Sequence, residues 1–114
     1  MTVRHAELAA GRWLRLSLVE QLANVGSEIE RTIRWKGKGN AEYGGRAFER
    51  ALELLDLTIA DEKNRLRLRE LTRLREALAD YFWFDNRYGS SDESWQRYFH
   101  AFNYAAALSR AAAA

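Results

Sequence analysis

Not one of the 114 residues is proline, and no other feature narrows the fold so far. Proline fixes φ and removes an amide donor, so it breaks helix interiors. A chain rich in Ala, Leu, Glu and Arg that never uses it reads as helical almost throughout. Apolar residues recur at helical spacing in four segments separated by turn-forming residues. The first runs from about Ala6 to Lys36, with Leu14, Leu18, Leu22, Val25, Ile29 and Thr32 on one stripe. Lys36-Gly37-Lys38-Gly39-Asn40 ends it with glycines and cations, and Asn40 can cap the next segment. The second spans about Ala41 to Ala60, with Phe48, Ala51, Leu52, Leu55, Thr58 and Ile59 inward. Asp61-Glu62-Lys63-Asn64 links it to a third, about Arg65 to Phe84, with Leu68, Leu71, Leu74, Leu78 and Phe82 inward. After the loop Asp85–Ser91, Ser90 and Glu93 fit a capping box for a fourth, about Asp92 to Arg110, with Trp95, Phe99, Phe102 and Ala106 inward. Short links put sequential helices antiparallel. The expected fold is one all-α domain over residues 1–110, an up-down antiparallel four-helix bundle with a long first helix. The alanines at 111–114 are set aside as a disordered or added tail.

Composition excludes much chemistry. There is no cysteine, hence no disulfide, thiolate metal site or cysteine nucleophile. His5 and His100 are the only histidines, too few for an all-histidine metal site, so no metal or cofactor is expected. No apolar run is long enough to cross a bilayer, and the first residues lack a signal-peptide core, which makes the cytoplasm the expected location. Gly37, Gly39 and Gly44 lack dinucleotide-loop spacing, and no Walker sequence occurs. Asp85–Gly89 lacks the oxygen ligands of a calcium loop. Inward Glu-x-x-His pairs of the di-iron type are missing. The acidic pairs Asp61-Glu62 and Asp92-Glu93 sit at helix starts, where capping accounts for them. Ser90, Ser91 and His100 have no carboxylate in place to orient them. No catalytic residue is assigned, and the chain is expected not to be an enzyme.

Two departures from bundle patterning remain. Helical angles place Gln21, Glu28, Arg67, Arg75 and Asn103 within apolar arcs. Glu28 is then the natural partner of a buried Arg67 or Arg75, unless those arginines snorkel from the edge of the stripe. Conversely, Trp13, Leu16, Leu57, Trp83, Phe84, Tyr104 and Leu108 fall outside the core arcs, and Trp83, Phe84 and Tyr88 gather at one end. Trp13, Trp83, Phe84 and Tyr88 are therefore the candidate interface to a second copy or a protein partner. The other readings of these aromatics are corner packing and a platform for nucleic-acid bases.

The formal net charge is +2. Basic residues concentrate at 31–50 and 61–75. Arg65, Arg69 and Arg73 repeat every four residues as one ridge, and Lys36 and Lys38 crowd the end of the first helix. These five form a candidate nucleic-acid surface, or else a solvated face with cations placed well for a helix dipole.

In size, four-helix pattern and basic balance the chain resembles the HEPN group, small all-α bundles that include RNA-cleaving toxins and helical partners of minimal nucleotidyltransferases. The ribonuclease members use an arginine followed several residues later by a histidine. Here Arg97 stands too close to His100 and Arg4 adjoins His5, so the resemblance implies a non-catalytic member. Trp35, Gly39, Asn40, Tyr43, Ala51, Leu52 and Ala60 look like parts of one tetratricopeptide repeat, with Tyr43 out of phase and no second repeat to stack on. The stretches EQLANVGSEIERTIRWKGKGN, ERALELLDLTIAD and DESWQRYFHAFNYAA resemble a recurring type of small prokaryotic four-helix-bundle protein. These observations lead to an expectation of a non-catalytic interaction protein, a homo-oligomeric scaffold or accessory subunit. The alternative is an RNA-binding or HEPN-like antitoxin or nucleotidyltransferase partner.

Overall fold

The computed structural model describes residues 11–113, and among them every regular element is helical. Helix α1 spans Leu18–Gly37, α2 Ala41–Ala60, α3 Leu68–Trp83 and α4 Asp92–Ala113, with a 3-10 turn over Glu62–Arg67 before α3. The sequence positions His5, Ala6 to Ala10 and Ala114 lie outside the described residues.

The expected long first helix is interrupted. Gly11–Trp13 is helical, the chain then turns, and α1 restarts after Ser17. The cause is a capping box: the Ser17 hydroxyl accepts from the Glu20 amide at 3.2 Å, and the Glu20 carboxylate accepts from the Ser17 amide at 3.1 Å. Those bonds satisfy amides that a continuing helix would have satisfied itself, and they hold the Glu20 carboxyl below its ordinary pKa. Leu14, expected inward, is consequently exposed, and Trp13 takes its place in the core.

Asn40 caps α2 as expected, its side chain accepting from the Tyr43 amide at 3.0 Å. The third segment begins later than its periodicity suggests. Asp61 caps a tight 3-10 turn, which carries Arg65 and Arg67, and leaves Leu66 and Leu68 facing water. At α4 the capping box is shifted by one residue from the expected Ser90 and Glu93: the Ser91 amide donates to the Ser94 hydroxyl at 2.9 Å and the Ser94 amide to the Ser91 hydroxyl at 3.0 Å. Helix α4 continues through Ala111–Ala113, past the expected end at Arg110, because alanine is the strongest helix former.

Helix α1 packs along α2 on one side and α4 on the other, α2 packs along α3, and direct contact between α3 and α4 is slight by comparison. Opposed pairs show the directions. Gln21 meets Asp61 while Thr32 meets Gly44, and Gly26 meets Phe99 while Lys36 meets Asp92. Likewise Phe48 meets Trp83 while Asp56 meets Arg75, so each of these packed pairs runs antiparallel. One core joins Leu22, Val25 and Ile29 of α1, Phe48, Leu52 and Leu55 of α2, Leu71, Leu74 and Leu78 of α3, and Trp95 and Phe99 of α4. Leu16 and Leu57, expected outside, pack against it.

A closed polar knot ties the segment before α1 to this core. The Trp13 indole N–H donates to Thr58 Oγ1 at 3.0 Å. Gln21, completely buried, donates to the Trp13 carbonyl at 3.0 Å and to Asp61 Oδ2 at 2.9 Å, and accepts from Asn64 at 2.8 Å. Asn64 also donates to the Thr58 carbonyl, and the Lys63 ammonium binds both Asp61 and the Leu14 carbonyl. Every buried polar side chain of the knot thus has a partner, which is the condition for burying it at acceptable cost.

Burial alone would raise the Asp61 pKa, but the bonds from Lys63 and Gln21 outweigh it and hold the carboxyl below its ordinary value. The folded state therefore binds the Asp61 proton less readily than the unfolded chain. The stability this group supplies is complete above the unfolded value, about 3.9. It is lost as pH falls through that value towards the folded one. Melting temperatures of wild type and Asp61→Asn between pH 7 and pH 3 check this. The wild type should lose more stability over the acid limb, so the gap between the two narrows as pH falls; a constant gap refutes the assignment.

Candidate interaction surface

The loop from Phe84 to Ser91 is built by two side chains. Asp80, in the last turn of α3, accepts from the Arg87 amide at 2.8 Å and the Tyr88 amide at 3.1 Å through its two carboxylate oxygens. Its own carbonyl accepts from the Phe84 and Asn86 amides. Asn86, in the left-handed region at φ 53°, accepts from the Ser90 amide at 2.8 Å and donates to the Ser90 carbonyl at 3.0 Å. Gly89, at φ 67°, donates to the Asn86 carbonyl. Each amide from Asn86 to Ser91 therefore donates to a fixed acceptor.

This ordered loop holds apolar side chains in water. Trp83, Phe84 and Tyr88 are 51%, 70% and 62% exposed. Trp83 stands edge-on to Phe48, ring centroids 4.9 Å apart, beside a cleft whose floor includes Gly44 and Gly45. Phe84 and Tyr88 share a different groove with Asp85 and Arg87. The three aromatics expected to form one cluster are thus divided between two neighbouring concavities.

Trp13 does not belong to this surface. It is 6% exposed at the opposite end of α2, because the turn after Trp13 folds the indole into the core and Thr58 supplies its hydrogen-bond partner. Arg67 and Arg75 are not buried either. The late start of α3 leaves Arg67 on the 3-10 turn, exposed and paired with Glu70 at 3.3 Å. Arg75 reaches Asp56 on α2 at 2.6 Å, and that hydrogen bond raises its pKa. Glu28 is buried as expected, but its partners are Arg31 at 2.7 Å and Arg50 at 3.7 Å. Asn103 is exposed.

Of the basic residues, Arg65, Arg69 and Arg73 are exposed and make no ion pair among the described residues. Arg65 lies on the 3-10 turn and the other two on α3, so the expected single ridge is split between two helix types. Lys38 stacks over Trp35. Lys36 is exposed but engaged: its ammonium lies over the Tyr81 ring and 3.6 Å from Asp92, while the Tyr81 hydroxyl donates to Asp92 at 2.5 Å. Burial and the Asp92 carboxylate raise the Tyr81 pKa. This knot joins the ends of α1, α3 and α4 and went unseen in the sequence, where the three residues are far apart.

Among the described residues no cluster of His, Asp or Glu is suited to hold a metal ion, and no helix is long and apolar enough to cross a membrane. No family model, curated protein or solved structure matches the chain.

Proposed function

We propose that this chain acts by binding, as a helical-bundle interaction protein of the cytoplasm, either a homo-oligomeric scaffold or an accessory subunit. The pairwise antiparallel helices support an up-down four-helix bundle as its frame. One observation carries the reading. The loop after α3 is fixed by hydrogen bonds along its length, yet its aromatic side chains bury little in the chain itself. Order without local burial lowers the entropy cost of association, and aromatic side chains are prominent among the few residues that carry most of an interface's energy.

A photo-crosslinking residue placed at Phe84, and as a control at the exposed Glu53 of α2, tests this in cells. The Phe84 position should yield a protein adduct and the Glu53 position none. Equal or absent labelling from both sites would overturn the reading.

A second reading rests on Arg65, Arg69 and Arg73, whose guanidiniums are exposed and make no ion pair among the described residues, which suits a phosphate backbone. It corresponds to the RNA-binding or HEPN-like partner role. Its mark is an RNA affinity that falls steeply with salt. The Arg65→Glu, Arg69→Glu, Arg73→Glu triple variant should lose that affinity and keep the Phe84 adduct.

A further inference from the structure

Residues 84–88 read Phe-Asp-Asn-Arg-Tyr: aromatic, acid, amide, base, aromatic. Read backwards, the aromatic positions are unchanged and the two charges exchange places. That is the pattern a surface needs in order to bind its own copy about a two-fold axis, where each residue meets the position reflected through the centre. The structure presents it in usable form. Asn86, the centre, turns its side chain inward onto Ser90, while Phe84, Asp85, Arg87 and Tyr88 are all exposed. The latter four line one groove. Asp85 and Arg87 have no ion-pair partner among the described residues, although only Asn86 separates them on a fixed loop. Asp80 and Arg75, in the same groove, are already engaged, by the loop amides and by Asp56.

We infer that this loop pairs with the same loop of a second copy of the chain, about a two-fold axis at Asn86. Phe84 stacks on the partner's Tyr88, Asp85 meets the partner's Arg87, and each contact occurs twice. The inference rests on the reading of the loop as an interaction surface and names its partner.

The charges allow a test by complementation, read as solution mass by light scattering. The wild type should run at twice 13.2 kDa at about 100 µM, a concentration at which a dimer of micromolar affinity is nearly complete. Asp85→Arg sets arginine against arginine twice, and Arg87→Asp sets aspartate against aspartate twice. Each single variant should weaken the dimer by about 10-fold or more. An equimolar mixture of the two variants restores both opposite-charge contacts, and so does the double variant; both should return to within about 3-fold of wild type. Circular dichroism verifies that each variant is folded. A wild type that stays monomeric, or a mixture that fails to restore association, overturns the self-pairing. A Phe84 adduct with a different protein, alongside a monomeric wild type, leaves the interaction surface standing and removes only the second copy as its occupant.

Discussion

Trp13→Ala should lower the stability of the chain by about 3–5 kcal/mol, the usual cost of removing a large aromatic from a core. The indole is buried against the α1–α2 pair, and its loss also leaves Thr58 Oγ1 without the Trp13 donor. Phe84→Ala removes a comparable ring and, at a protein concentration low enough to keep the chain monomeric, should change stability by no more than about 0.5 kcal/mol, because in the single chain the ring is mostly in water. Sequence patterning places both residues outside the core, so urea denaturation of the two variants separates the exposed aromatic from the buried one. A Trp13→Ala loss below about 1 kcal/mol would mean that residues 11–17 are not part of the cooperative unit.

Gly26→Ala and Gly45→Ala should move stability in opposite directions. Both glycines are helical, and replacing glycine with alanine inside a helix ordinarily gains about 1 kcal/mol. A methyl group at Gly45 meets nothing within 4 Å, so that gain should appear there as a higher Tm. At Gly26 it would lie 2.7 Å from Phe99 Cβ. That atom is fixed to the α4 backbone and cannot rotate away, so the helices themselves must separate. Overpacking of this kind costs about 1–3 kcal/mol. The clash should exceed the propensity gain and leave a net loss of up to about 2 kcal/mol, with larger side chains at Gly26 worse. A Gly26→Ala variant as stable as wild type would show that α1 and α4 do not cross as closely as described.

Helix identity was readable from the chain because each apolar stripe is held at helical period over several turns. Helix α2 runs from Ala41 to Ala60 behind its Asn40 cap, as its stripe predicts. The errors fall where a short polar motif overrides periodicity. Ser17 and Glu20 form a capping box within a sustained stripe, and the stripe concealed the break. Asp61 caps a 3-10 turn that delays α3 and moves Arg67 out of the apolar arc. Arg75 found Asp56, a pairing across two helices whose rotation no single-helix projection contains. Of the surface, the exposed aromatics of the α3–α4 loop were legible. Their fixation was not, since the role of Asp80 depends on the loop returning to the last turn of α3.

The position of α1 between two partners has a consequence for synthesis. Helix α2 follows α1 within a few residues, so this antiparallel pair can close as soon as Ala60 has left the ribosome. The other face of α1, around Gly26 and Ile29, must wait for Phe99 and the rest of α4. At ordinary elongation rates the stretch from Asp61 to Ala113 takes roughly 3–10 s. For that interval the nascent chain carries an uncovered apolar strip on a preformed hairpin. Until α4 covers it, that strip is the face most open to non-native contact.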